Sequence, residues 1–139
     1  MGMYTVLVMN CRIKAPKDVI DILEYMTLQS DGDTSALNLP DHPLFKTARW
    51  DWMMHGQSCY FDELTDSKLL YDETFGEYYL SVAFNIKNYN DEIQKFLDWI
   101  EPYMRTTGFI GYTRYEECED PALIYHEGNQ IIYRSVNKK

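Results

Sequence analysis

RYEECEDPALIYHEGNQIIYRSV, Arg114–Val136, decides how the fold is read. Its first part crowds Glu116, Glu117, Glu119 and Asp120 together, with His126 and Glu127 a few residues on. Its second part holds two β-branched and aromatic runs, ALIYHE and QIIYRSV, joined at Gly128-Asn129, a pair suited to a tight hairpin turn. The whole stretch has an echo upstream. Displaced by 54 residues, YFDELTDSKLLYDETFGEYYLSV (Tyr60–Val82) lies on it without a gap. Glu63 falls on Glu117, Asp66 on Asp120, Leu69 on Leu123, Tyr71 on Tyr125, Glu73 on Glu127 and Tyr79 on Tyr133. An acidic connector that occurs twice reads first as a device of the fold, because turns favour Asp and charge favours solvent.

Working outward, the echo extends to two helices. Val19, Ile22, Leu23 and Met26 fall at helical spacing after Pro16, which suits a first helical turn. Ile93, Phe96, Leu97 and Ile100 form a matching stripe, with Asn90 as expected N-cap and Pro102 as stop. YTVLVMNCRIK (Tyr4–Lys14) reads as a buried strand, and LLYDETFGEYYLSVAFNIK as a hairpin turning at Thr74–Gly76. RWDWMM and SCYF read as strand-like segments bent near Gly56, and GFIGYTRYEE as one further strand. The first helix is expected to fade at Ser30–Asp33, before a long irregular loop from Gln29 to Lys46. The expectation is an α+β fold: a duplicated strand-helix-strand-strand unit with a pseudo-twofold axis, closed by a final strand. Its antiparallel-rich sheet would carry both helices on one face. The units span 4–76 and 77–136 within one domain covering 1–139.

A net charge of −9 and a pI near 4.7 oppose nucleic acid and anionic membrane surfaces as partners. They suit a cationic ligand or a basic protein partner. Three cysteines, Cys11, Cys59 and Cys118, make neither a disulfide framework nor a zinc motif. The opening MGMYTVLVMNCRIK does not read as a signal peptide, and no apolar run is long enough to span a membrane, so a cytoplasmic location is expected.

No nucleotide-cradling glycine motif, HxxxH or CxxC is present, and no cofactor, metal site or catalytic residue is assigned. The carboxylates of 116–120 with His126 are dense but lack a calcium-loop pattern. Cys59 and His55, four apart on an extended strand, would face one side, though Cys is more often simply buried. Trp50 and Trp52 would alternate onto one strand face, with Met53, Met54 and His55 following, either as core or as the lining of an apolar pocket. Tyr25 and Trp99 occupy equivalent places beside the two apolar stripes. They would cover the helix–sheet margin or form a homodimer face.

The duplicated strand-helix-strand-strand order resembles that of gyrase-inhibitor-like domains, which also serve as effector modules of multidrug-sensing regulators. That resemblance covers most of the chain and implies a cleft between the halves taking small, often cationic, aromatic ligands. FLDWIEPYM, GFIGYTRYEE and PALIYHEG resemble stretches of small uncharacterised proteins of low-GC Gram-positive bacteria and their phages, and imply no activity. The expected function is a non-enzymatic binding module for a small aromatic or cationic ligand. Trp50, Trp52, His55, Tyr112 and Tyr125 would line its site, with Glu117 or Glu63 as negative partner. The alternatives are an acidic factor that uses the Gln29–Lys46 loop against a basic protein partner, and a hydrolase or isomerase built on the carboxylates.

Overall fold

The computed structural model describes residues 4–27, 35 and 37–136. Six strands and two helices follow one another as β1 (Tyr4–Ile13), α1 (Lys17–Met26), β2 (Lys68–Asp72), β3 (Glu77–Lys87), α2 (Glu92–Ile100), β4 (Gly108–Tyr115), β5 (Ala122–Glu127) and β6 (Gln130–Ser135). Short 3₁₀ turns form at Pro43–Lys46, Met53–His55 and Glu101–Tyr103. The strands make one sheet in the order β2-β3-β1-β4-β5-β6, and every neighbouring pair is antiparallel. The architecture is α+β, as the periodicities predict.

β1 lies near the middle of the sheet, which explains its nearly continuous apolar run. Directly opposed residues of an antiparallel pair share a face. Leu7, Met9 and Cys11 of β1 therefore stand on the same side as Phe84, Val82 and Leu80 of β3. These six join Ile22, Leu23 and Met26 of α1 and Ile93, Phe96, Leu97 and Ile100 of α2 in one buried core. One cluster containing both apolar stripes places both helices on this side of the sheet, the helix face.

The details of capping differ from expectation. Asn90 does not cap α2. The Oδ1 of Asn88 accepts from the backbone N–H of Ile93 at 2.9 Å, and Asp91 takes a left-handed conformation at φ 56° just before the helix. Pro16 takes the N-cap position of α1. That helix ends at Met26, where the Thr27 hydroxyl donates back to the Leu23 carbonyl at 2.9 Å. The whole of the expected fading stretch Ser30–Asp33, with residues 29–34 and 36 of the long loop, lies outside the described residues.

The larger difference lies at Ala48–Phe61, where strands were expected. The chain there is bend, turn and a 3₁₀ turn, so β4 has no counterpart strand in the first half and the sheet does not divide into two equal units. Trp50 enters the helix-face core at 7% exposure instead of lining a strand, while Trp52 projects outward. Phe45 stands edge-on to Trp50 at 4.9 Å and to Trp99 at 5.2 Å, and Tyr25 leans on Trp50 at 6.1 Å. Tyr25 and Trp99 are thus bound into one aromatic group at the helix margin.

The second face of the sheet has a different cover. Gly56 and Asp66 are both held to β3, by Asn85 N–H donating to the Gly56 carbonyl at 3.1 Å and Asp66 N–H to the Ala83 carbonyl at 2.8 Å. The Thr65 hydroxyl closes the loop by donating to the same Gly56 carbonyl at 2.6 Å. Between these pins the chain crosses the sheet as a strap, in the manner of an Ω-loop. Tyr60 meets Tyr4 of β1 at 5.6 Å, and Phe61 lies under the Arg114 guanidinium of β4 at 4.9 Å. Gly56 can sit against β3 because it lacks a side chain: a Cβ there would fall 2.4 Å from the Asn85 carbonyl oxygen. Gly111 meets the same demand in β4, where a Cβ would lie 2.0 Å from the Val8 carbonyl.

Candidate functional site

A cleft of about 600 Å³ opens between the two helices. Its floor is apolar and comes from Val19 and Ile22 of α1, Trp99 of α2, and Tyr103 beyond it. Its rim is acidic: Asp18 in the first turn of α1, Asp98 and Glu101 at the end of α2, and Asp41 in the segment that crosses the opening. No Lys or Arg lines it among the described residues. The last turn of α2 carries no cation, so its free carbonyls add to the negative potential.

Each carboxylate is oriented by a neighbour. The Asn38 amide donates to Asp18 at 2.7 Å, and His42 Nε2 lies 3.0 Å from Asp98. Leu44 N–H donates to His42 Nδ1 at 3.1 Å, which makes that nitrogen the acceptor and leaves Nε2 to carry the proton toward Asp98. Asp41 is paired with Lys46 at 2.8 Å on the outer side, and this hydrogen bond holds its carboxyl below the usual range. Glu101 is backed by His126, buried at 4% exposure, whose Nε2 lies 2.9 Å from the carboxylate. The other ring nitrogen of His126 lies 2.8 Å from the Thr106 carbonyl. Both ring nitrogens thus face oxygen atoms of the protein.

The residues expected at a site fall in three separate places. Trp50, Trp52 and His55 stand on the helix side, but none lines the cleft. His55 directs Nε2 to the Met26 carbonyl at 2.9 Å and so caps the end of α1. It turns to the helix and not to Cys59, which is exposed. Tyr112 and Tyr125 lie on the strap face of the sheet. Tyr112 donates its hydroxyl to Glu63 at 2.6 Å, and burial followed by this bond pushes the phenol up to about 12. Tyr125 stacks beneath Arg134 at 4.3 Å. Glu117 is exposed in the turn after β4. Of the two candidate negative partners, Glu63 therefore meets a predicted aromatic and Glu117 does not.

The acidic stretch of 116–120 divides in the same way. Glu116 accepts from the Tyr4 backbone N–H at 2.6 Å and braces β1, whereas Glu117, Glu119 and Asp120 face solvent. His126 is turned away from them, under the end of α2. Among the described residues no group of three or more His, Cys, Asp and Glu side chains is placed to hold a metal ion. Burial pushes the Cys11 thiol up to about 12, which makes it an inert core residue.

Sequence reasoning missed Asn38, His42, Asp98 and Glu101. Asp98 and Glu101 continue a polar stripe from Gln94 at helical spacing, opposite the apolar one, and that much was visible. The contact of His42 with Asp98 spans 56 residues and has no local signal. No family model matches the chain, and no curated protein or solved structure is significantly similar to it. No helix among the described residues is long and apolar enough to cross a membrane.

Proposed function

We propose that the chain is a non-enzymatic binding module that holds a small cationic ligand with apolar or aromatic character in the cleft between α1 and α2. One observation carries the reading: a concave, apolar-floored space of about 600 Å³ whose charged lining is all carboxylate. Small-molecule sites are commonly clefts of ~300–1,000 Å³ with a few oriented polar groups on apolar walls. Trp99 and Tyr103 offer aromatic surface to a cation, and Asp18 and Asp98 offer oriented charge. Binding is favoured over catalysis because both nitrogens of His42 are engaged, leaving no free imidazole in the cleft.

The test is a fluorescence titration with an N-arylpyridinium cation, in a Trp52→Phe background that removes the exposed indole. Saturable quenching is expected. Asp98→Asn should weaken it by about fivefold, the value of one partly screened ion pair. Linear quenching that the Asp98 variant leaves unchanged would sink the proposal. A second reading, uptake of a basic protein partner, is supported by the protrusion of Asp41 and Asp98, whose side chains are 91% and 80% exposed. Partner binding that persists after the cleft is filled with the pyridinium would favour it.

A further inference from the structure

A second cavity, of about 310 Å³, lies on the other side of α2 against the β5–β6 turn and the start of β6. It shares Asp98 and Glu101 with the helix cleft, so these two side chains form a ridge between the cavities. With Gln94 they sit at i, i+4 and i+7, one face of α2 running on into the following 3₁₀ turn. Beyond the ridge the lining changes character. Gln94, Asn129 and Gln130 bring neutral amide groups, Ile131 brings apolar surface, and no Lys or Arg lines this cavity either. Tyr133, 41% exposed, flanks it, and partial desolvation followed by the nearby Asp98 charge pushes its phenol up to about 12.

We infer that the ligand is elongated, a linear aliphatic polyamine lying across the Asp98–Glu101 ridge with one end in each cavity. The inference rests on the reading of the helix cleft as a cation site. A compact monocation meets only the first cavity. A polyamine carries ammonium groups at intervals along a flexible chain, the terminal ones with three N–H donors and the internal ones with two. One ammonium would reach Asp18 and the next Asp98, and a third would find the amide oxygens of Gln94, Asn129 and Gln130. The methylenes between them would lie on Trp99 and Ile131. Glu101 is already held by His126 at 2.9 Å, which leaves Asp98 as the shared carboxylate free to meet a ligand.

Calorimetric titration of the full chain with spermidine, n-butylamine and the N-arylpyridinium tests this at fixed, near-physiological salt. Spermidine should bind about fivefold tighter than butylamine for each further ion pair it makes. Gln130→Lys, a change on an exposed edge strand, places a cation in the second cavity and should remove that advantage, with only a small effect on butylamine through the shared Asp98. Asn10→Lys adds the same charge on the opposite face and should change neither. Pyridinium binding with spermidine no tighter than butylamine would overturn the elongated ligand and keep the cation cleft. Failure of all three to bind would overturn both. A spermidine advantage that Gln130→Lys and Asn10→Lys reduce equally would mean diffuse surface attraction, and would also overturn the inference.

Discussion

The two faces of the sheet are covered by different physics. On the helix face, two amphipathic helices press apolar stripes onto Leu7, Met9, Phe84 and Val82, all nearly or fully buried, and cohesion comes from area and close packing. On the other face an eleven-residue strap, Gly56–Asp66, covers only part of the surface, and Leu70, Tyr79 and Phe109 stay exposed. Cohesion there is polar and aromatic. Lys87 stands over Tyr4, Arg114 over Phe61 and Arg134 over Tyr125, all on residues of that face or its strap. It is also less well satisfied. Asn85 is fully buried near Gly56, and neither polar atom of its side chain has a partner among the described residues. The contrast implies that the helix face sets global stability, while the strap opens locally at lower cost.

The largest expected effect breaks the comparison at its stronger side. Phe96→Ala, at a fully buried position, should cost about 4 kcal/mol, measured by urea unfolding, with both faces lost in a single transition. Gly56→Ala should cost less, about 2 kcal/mol, because its new Cβ meets the β3 backbone. Hydrogen exchange sharpens the point: the Asp66 amide should speed up strongly while the amides of β1 hold their protection. Equal acceleration in both would show that the strap is part of the global core. The smallest effect belongs to Tyr112→Phe, about 1 kcal/mol for the lost hydrogen bond to Glu63. Its signature is in pH. The folded phenol titrates near 12, above its ordinary value of 10.0, so the protonated form is favoured by folding. That stabilisation is complete below pH 10 and fades as pH rises toward 12. The variant should lose part of the alkaline destabilisation seen in the parent, as read by thermal melts across that range.

Much of this fold was legible because its signals are local. The stripes of α1 and α2, the hairpin at Gly76 and the turn at Gly128-Asn129 each follow from periodicity and turn chemistry within a few residues. The failures at Ala48–Phe61 have one cause. ARWDWMM alternates like a strand, but Trp50 is drawn into the helix-side core, where it packs on Phe45 and Tyr25. Tertiary burial overrides β-propensity there. The echo between Glu63 and Glu117 was visible as well, yet the two residues fare differently. One meets Tyr112 across the strap and the other faces water.

The sequence by itself determined the α+β class, both helices, all six strands of the sheet, and an acidic surface. These depend on neighbours along the chain and on composition. Only the tertiary structure decided which carboxylates stand together. Asp18, Asp41, Asp98 and Glu101 come from segments far apart in the chain and share a cleft because α1 and α2 lie on one face of the sheet. No periodicity encodes that meeting. It follows from strand order, which places both crossings on the same side and leaves the other side to the strap.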